Sequence, residues 1–445
     1  MPDVSLLSLL FLALVLLFGI ALVASRMDFL QPAVIGSGVM AVSAFFAVIG
    51  EKWWASHLSF EGFAVILLGM IVFVAAGLWT SDASRPKSGG QQAPAREFYE
   101  ISWVLALFFC ALMVVMAYYN FQTMYQVSLE LGNTKGYAGM FAVVRKAVEL
   151  DEGGVFGRWM NYRTILAQMI ASVYLYLFLY DAILAGWRWR FLAAVPPVLC
   201  YFPFLLLTTG RTTMLCFVIY GFVVAAVLYL RKHGYAMTAR RRAVGYAVLA
   251  GAIFAALFFL MGLVSGKTGD TIGRSYLQIF AHYAGLSLPA FGEIIQYPVL
   301  EDGLIGGHTL GPLYRVLASL GLPLPHVINF MPFVNFSGID TNVYTIFWRY
   351  CWDFGIVGML LMMFLLGAGY TLAYRFISHG RLRPFALMTY ALFVYPIFWF
   401  PMDDRFLMDV LNTTTLYDLV LLFVLYELLL VHAKKTPLPQ RGTAS

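Results

Sequence analysis

The sequence predicts an all-α protein that crosses a membrane many times. Hydrophobic residues make up 61% of its 445 residues and charged residues only 12%, and its mean hydropathy is +0.79. A soluble globular protein carries about 25% charged residues. The apolar residues also fall into long uninterrupted runs, and roughly 20 such residues span a bilayer as a helix. Together these observations predict a polytopic α-helical membrane protein.

About eleven of the apolar runs are long enough to cross a bilayer, within a single integral membrane domain that covers residues 1–445. The N-terminal run lacks the basic segment of a cleaved signal peptide, so we expect it to remain as the first span. In chain order, the predicted spans are 5–25, 30–50, 59–79, 101–119, 164–181, 190–207, 212–230, 244–264, 346–374, 384–400 and 412–431.

The charges of the connecting segments predict the orientation of the chain. With an odd number of spans, the basic connections and the C-terminal tail fall on one side, which carries 17 of the 29 lysines and arginines against 12 on the other. Basic loops are retained in the cytoplasm, so the N-terminus is expected outside and the C-terminus inside. The basic residues form no cluster interleaved with aromatic residues, so the net charge of +6 does not indicate nucleic-acid binding.

Two connections on the predicted outer side are long enough to have a function of their own. They run from about residue 120 to 163 and from about 265 to 342. Loops of this length are usually functional or folded. The second contains GRSYLQIFAHYAGLSLPAFGEII and LGPLYRVLASLGL, in which apolar residues recur at helical spacing. These stretches predict short amphipathic helices at the outer interface.

Arginines recur at the outer ends of the predicted spans. Arg349 and Asp353 begin the ninth span, Arg211 precedes the seventh, and Arg405 precedes the eleventh. A charge at the bilayer centre costs about 2.5–3.5 kcal/mol, so we expect these side chains at the surface or in a wet cavity. Planar guanidinium groups suit bidentate binding of phosphate oxygens. The alternative is that each arginine pairs with a nearby acid, as Arg349 would with Asp353 one helical turn away.

The sequence has no pattern of metal ligands, and no cofactor is expected. The four cysteines lie in apolar surroundings without C-x-x-C spacing. The histidines of the second outer loop, at positions 282, 308 and 326, do not have the spacing of a local zinc site. An enzyme built from this chain would therefore take its positive charge from arginines.

Several local features, together with the layout of spans and loops, resemble those of one known family. Gly210 and Arg211 are followed by small polar residues and a span, and TNVYTIFWRYCWDFGIVGMLLMMFLLG leads from the large loop into a long span. Arg405 lies in the short loop before the last span, and Arg274 is followed by ten residues and Gly285. In these features, over most of its length, the chain resembles the bacterial oligosaccharide repeat-unit polymerases, the O-antigen polymerases of the Wzy type.

The resemblance implies a membrane glycosyltransferase that joins glycans carried on undecaprenyl diphosphate. A hydroxyl of the acceptor attacks the anomeric carbon of the donor, and undecaprenyl diphosphate leaves. Fixed cations stabilise the leaving group, and a carboxylate or histidine orients or deprotonates the hydroxyl. The residues expected to bind the diphosphate are Arg211, Arg274, Arg349 and Arg405. The catalytic candidates are Asp353, His282, His308 and Asp340, with the alternative that Asp353 only positions Arg349.

The resemblance also implies a location and partners. The location is the bacterial cytoplasmic (inner) membrane, with the active site facing the periplasm. The partners are undecaprenyl-diphosphate-linked oligosaccharides, membrane lipids and a chain-length regulator protein.

Two other functions remain open. One is an O-antigen ligase, which moves the finished glycan to another lipid. The other is a transporter or flippase of lipid-linked sugars, which predicts charges deep in several spans and half-helices broken near the midplane. Charges here gather at the outer span ends, with Asp418 and Glu427 of the last span as the main exceptions.

Overall fold

The fold is taken from a computed structural model, in which the described part of the chain is mostly helical. The described residues are 5–54, 56–83, 97–150, 157–185, 189–208, 211–264, 275–295, 305–323, 331–379, 382–410, 412–431 and 435–437.

The helices and strands follow one another along the chain with short connections between most of them. They are α1 (Leu6–Ala24), α2 (Pro32–Trp54), α3 (Phe60–Ala83), β1 (Glu97–Tyr99), α4 (Trp103–Glu130), α5 (Tyr137–Leu150), α6 (Arg158–Tyr180), α7 (Val195–Leu199), α8 (Phe202–Leu207), α9 (Arg211–Lys232), α10 (Met237–Val264), α11 (Tyr276–Gly285), α12 (Ser287–Ile294), α13 (Gly311–Ser319), β2 (Val334–Phe336), β3 (Ile339–Thr341), α14 (Phe347–Ser378), α15 (Pro384–Phe393), α16 (Tyr395–Phe398), α17 (Phe406–Val410), α18 (Thr413–Tyr426) and β4 (Lys435–Pro437). Two segments are π-helical, Asp181–Ala185 and Glu427–Val431, and Trp189–Ala194 is a 3₁₀-helix.

Eight helices within the described ranges are long and apolar enough to cross a membrane. They are α1, α2, α3, α4, α6, α9, α14 and α18, and the candidate span of α18 continues through the π-helical segment Glu427–Val431. The prediction of a polytopic all-α membrane protein is therefore confirmed. The prediction of about eleven spans stays a prediction.

Two of the predicted spans are interrupted helices. The apolar segment Phe191–Leu207 consists of a 3₁₀-helix followed by α7 and α8, and Pro384–Phe398 is divided between α15 and α16. Prolines stand in the first turns of α7, α8 and α16. Proline lacks the N–H that would continue a preceding helix and its ring clashes with the preceding turn, which accounts for the breaks.

The segment 120–163, predicted as a long outer loop, is helical over most of its described length. Helix α4 continues to Glu130, α5 follows, and α6 begins at Arg158. The predicted fourth span stops at residue 119 because polar residues begin there, but glutamine, methionine and leucine are good helix formers and extend the helix. At about 1.5 Å per residue, the 28 residues of α4 reach about 42 Å, beyond the roughly 30 Å of a hydrocarbon core.

The second predicted outer loop also has structure of its own. Helices α11 and α12 form within the first amphipathic stretch, and α13 forms within the second. A capping box starts α11, because the Ser275 hydroxyl accepts from the backbone N–H of Gln278 and the Gln278 side chain accepts from the N–H of Ser275. Strands β2 and β3 pair as an antiparallel hairpin just before α14.

The chain divides into two compact units. Unit 1 consists of Met1–Gly90, Gly273–Gly380 and Phe393–Thr415, and unit 2 of Gln91–Ile272, Arg381–Leu392 and Leu416–Ser445. In unit 1, α3 packs along α14, α2 packs on α1 and α3, and α11 lies on α2. In unit 2, α6 packs against α4, α7 and α9, and β1 pairs with β4.

Small residues allow the helices of unit 1 to approach closely. The Ser43 hydroxyl donates to the carbonyl of Ala284 at 2.6 Å, and the Ser59 hydroxyl donates to the carbonyl of Gly292 at 2.7 Å. A Cβ on Gly285 would lie 2.4 Å from the backbone nitrogen of Ala47. Small residues and hydroxyls at helix contacts are typical of membrane proteins, and here they join α11 and α12 to α2 and α3.

Candidate functional site

The first turns of α14 are separated from the rest of the helix by a kink at Gly355. Gly355 has φ 67° and ψ −176°, a conformation open essentially only to glycine. Residues 347–354 therefore form a short helix of their own, and the apolar run begins at 356. Arg349 and Asp353 lie on the short piece before the kink.

Arg349 is buried and paired with Asp403, not with Asp353. Its side chain is 2% exposed. Nε donates to Asp403 Oδ1 at 2.8 Å and Nη2 donates to Oδ2 at 3.3 Å, a bidentate pair, while Nη1 donates to the carbonyl of His308 at 2.8 Å. The expected pairing within one helical turn is therefore replaced by an ion pair to a residue 54 positions further along the chain.

Asp353 holds a turn against α14. Its Oδ1 accepts from the backbone N–H of His308 at 3.3 Å and its Oδ2 from that of Thr309 at 2.6 Å. The Thr309 hydroxyl donates to the carbonyl of Arg349 at 3.3 Å. The His308 ring stacks on Trp352, with 5.1 Å between ring centroids and 20° between planes. Arg349 and Asp353 thus fix the same turn from two sides.

Asp404 is fully buried beside this ion pair and caps α17. Its Oδ1 accepts from the backbone N–H of Phe406 at 3.0 Å and of Leu407 at 3.3 Å. Burial raises the pKa of the Asp404 carboxyl to about 7, the neighbouring Asp403 adds to this rise, and Tyr350 and Arg349 oppose it. The Asp404 carboxyl therefore titrates near neutral pH.

Arg405 and Asp409, which follow Asp403 and Asp404 in the chain, have partly exposed side chains. Arg405 Nη1 lies 3.8 Å from Asp409 Oδ1, and the two side chains are 38% and 35% exposed. The Tyr395 hydroxyl donates to Asp409 Oδ2. Burial raises the pKa of the Asp409 carboxyl, while Arg405 and Tyr395 lower it. Arg405 Nε is itself buried from solvent and, within the described part of the chain, has no hydrogen-bond partner.

The structure brings four of the predicted site residues together and places the others elsewhere. The predicted residues found together are Arg349, Asp353, His308 and Arg405. With Asp403, Asp404, Asp409 and Tyr395 they form a group that we call the 349/405 cluster.

The other four predicted site residues are His282 and Asp340, which lie elsewhere, and Arg211 and Arg274, whose side chains are not among those described. His282 lies on α11, which packs on α2. Asp340 is exposed on the hairpin, where its Oδ1 accepts from Asn335 Nδ2 at 2.6 Å. Arg211 is the first residue of α9 in unit 2, and its side chain is not described; Arg274 lies outside the described residues.

The three carboxylates of PMDDRFLMD are not among the site residues predicted from the sequence. In the structure, Asp403 pairs with Arg349, Asp404 is buried, and Asp409 accompanies Arg405. Three carboxylates around one arginine in a short connection between apolar runs were the available signal.

No group of three or more histidine, cysteine, aspartate or glutamate side chains able to hold a metal ion lies within the described residues. Comparisons of the chain with protein-family models, with curated proteins and with solved structures found no match.

Asp404 is expected to make the stability of the protein depend on pH. Its carboxyl is easier to protonate in the folded chain than in the unfolded chain, where the pKa is about 3.9. The stability it contributes is therefore fully present below about pH 4 and is lost as the pH rises through about 7. The wild type should therefore lose stability as the pH rises from about 4 to about 7, and we expect Asp404→Asn to remove this loss, as measured by chemical unfolding in detergent micelles. The control is Asp340→Asn on the exposed hairpin; equal pH dependence in the wild type and Asp404→Asn contradicts the prediction.

Proposed function

We propose that the protein is a membrane glycosyltransferase that joins undecaprenyl-diphosphate-linked oligosaccharide repeat units into a surface polysaccharide. The observation that carries the proposal is the pair formed by Arg405 and Asp409. It combines a guanidinium and a carboxylate of raised pKa whose side chains are both partly exposed. The pair lies beside a buried ion pair at the entrance of a candidate membrane span.

The two exposed side chains suit the two demands of the reaction. The acceptor hydroxyl forms a bond to the anomeric carbon of the donor while the bond from that carbon to the diphosphate oxygen breaks. The hydroxyl proton passes to the carboxylate of Asp409, and the leaving diphosphate takes the bonding electrons. Arg405 stabilises the charge that develops on the diphosphate. A carboxylate whose pKa is raised towards the working pH is a better base.

The buried residues have a supporting role in this proposal. Arg349 uses its donors on Asp403 and on the His308 carbonyl, so it positions the segment that carries Arg405 and Asp409. Asp353 positions the turn that contains His308. Arg211 and Arg274 stay predictions as further diphosphate-binding residues, and so do His282 and Asp340 as catalytic groups.

The proposed location is a bacterial cytoplasmic membrane with the 349/405 cluster at its periplasmic face. The excess of lysine and arginine on the opposite side of the chain supports this orientation. The proposed partners are the lipid-linked oligosaccharides, membrane lipids and a regulator of chain length.

A transporter of lipid-linked sugars is the second candidate, because one structural feature favours it. The apolar segments Phe191–Leu207 and Pro384–Phe398 are broken by prolines. Discontinuous helices line the binding sites of many secondary transporters. An O-antigen ligase shares the chemistry of the polymerase and differs only in the acceptor.

The deciding experiment is a polymerisation assay with the purified full-length protein in liposomes and undecaprenyl-diphosphate-linked repeat units. We expect a ladder of regularly spaced glycans on a gel. Loss of a general base typically costs 10²–10⁴-fold in rate, so Asp409→Asn is expected to slow the reaction by at least about 100-fold. Loss of a charge-stabilising donor costs about 10²–10³-fold, the expected effect of Arg405→Gln.

The matched control is Arg242→Gln, which removes an exposed arginine of α10 on the opposite predicted side. A ladder that persists at full rate in Asp409→Asn and Arg405→Gln contradicts the assigned roles. Movement of the intact substrate across the bilayer without a ladder supports the transporter, and transfer to a second lipid acceptor supports the ligase.

A further inference from the structure

A second arginine-centred site lies in unit 2, where Arg163 is held by neutral groups. Arg163 is half-buried in the second turn of α6. Its Nε donates to Asn120 Oδ1 at 2.6 Å, and its Nη2 donates to the Thr123 hydroxyl at 3.4 Å. Asn120 is fully buried on α4. The guanidinium is therefore fixed between α4 and α6 by oxygen atoms that carry no net charge.

The donors and acceptors around Asn120 determine which way its side-chain amide is oriented. The Thr164 hydroxyl donates to the carbonyl of Met160 at 2.9 Å, which leaves its oxygen to accept from Asn120 Nδ2 at 3.1 Å. The Thr123 hydroxyl donates to the carbonyl of Tyr119 at 2.9 Å, so its oxygen accepts from Arg163. With its NH₂ group committed to Thr164, Asn120 must present its carbonyl oxygen to Arg163.

The contacts of Arg163 leave part of its hydrogen-bond donor capacity unused. A guanidinium has five N–H donors, and the contacts of Arg163 with the described residues use only two of them and include no carboxylate. Charged side chains within membrane segments are costly and are normally paired. The two bound groups orient the guanidinium without neutralising it. An anion from outside the chain would complete the site.

The aromatic residues near Arg163 indicate where that anion comes from. Trp159, one helical turn before Arg163, is 74% exposed, and Tyr119, whose carbonyl anchors Thr123, is 55% exposed. Tyr162 packs edge-on against Tyr417, with 5.1 Å between ring centroids. Exposed tryptophan and tyrosine concentrate at the level of lipid headgroups. The anionic group found at that level is the phosphate of a phospholipid.

We propose that Arg163, held by Asn120 and Thr123, binds the phosphate of an anionic membrane lipid at the start of α6. The planar guanidinium presents its remaining N–H groups to two phosphate oxygens. The site does not depend on the glycosyltransferase function, because it needs neither a sugar nor the 349/405 cluster.

The test is lipid binding by the purified full-length protein in detergent, without any glycan substrate. Native mass spectrometry counts the lipids retained as phosphatidylglycerol or phosphatidylcholine is titrated. We expect one phosphatidylglycerol to bind more tightly than phosphatidylcholine. Hydrogen bonds to charged groups are worth enough that Arg163→Gln is expected to weaken this binding by about ten-fold or more. Arg315→Gln, which removes an exposed arginine of α13, should leave it unchanged.

Asn120→Asp provides a second variant that keeps Arg163 in place. The new carboxylate would neutralise the guanidinium from within the chain, so we expect the same loss of phosphatidylglycerol binding although the arginine is retained. A purely structural arginine would not predict this loss. Equal phosphatidylglycerol binding in the wild type and in either variant overturns the proposal. Displacement of the lipid by millimolar inorganic pyrophosphate also overturns it, because it would assign the site to a soluble phosphate.

Discussion

Replacing Arg349 by glutamine is expected to lower the free energy of unfolding by about 3–5 kcal/mol, the usual cost of breaking a buried ion pair by removing one partner. The substitution leaves the carboxylate of Asp403 without its bidentate partner and the carbonyl of His308 without its donor. The measurement is a denaturant titration of the purified protein in mixed micelles, followed by tryptophan fluorescence.

The matched control for this substitution is Arg242→Gln on the exposed side of α10, which is expected to change stability by less than about 0.5 kcal/mol. A double-mutant cycle with Asp403→Asn should give a coupling energy of about 0.5–3 kcal/mol. If Arg349→Gln behaves like Arg242→Gln, the ion pair does not hold the cluster together.

Replacing Gly355 by alanine is expected to lower the free energy of unfolding by about 1–3 kcal/mol, because its backbone conformation is sparsely populated by residues with a Cβ. No atom lies within 4 Å of the Cβ that the substitution would add. The cost therefore comes from the backbone itself and not from a clash with a neighbouring helix. Relief of the strain would straighten α14 and move Arg349 and Asp353, so we also expect the proposed polymerisation activity to fall.

Gly369→Ala is the control from the same helix. Gly369 is also exposed, also has open space at its Cβ position, and lies in regular helix. Alanine there should stabilise the protein by about 0.4–1 kcal/mol. A loss of stability in Gly355→Ala and a gain in Gly369→Ala would establish that the kink depends on the φ angle of Gly355. A loss of stability in both would instead point to a requirement for small residues along the lipid-facing side of α14.

Composition and apolar length were enough to predict the class of the fold and the position of its membrane helices. The predicted first span, 5–25, and ninth span, 346–374, coincide closely with α1 and α14. The length of an apolar run is a local property that a sequence displays directly. The serine cap at Ser5 marks the start of α1 in the same local way.

The partners of the charged residues were not predictable in the same way. Arg349 had a carboxylate at helical spacing in Asp353, yet it pairs with Asp403, 54 positions away. The kink at Gly355 and the turn at His308 decide that choice, and both depend on tertiary packing. Local spacing identified a charged region at the entrance of α14, and the fold determined which charges are buried and which are exposed.

The order of the segments in unit 1 has a consequence for how the protein is made. The hydrogen bonds that join α11 and α12 to α2 and α3 connect residues 241 and 233 positions apart. At about 5–20 residues per second, α2 and α3 leave the ribosome roughly 10–50 s before these partners do. All of α4–α10 is synthesised in that interval. Helices α2 and α3 are thus synthesised well before the helices that complete their packing, so unit 1 can be completed only late in synthesis.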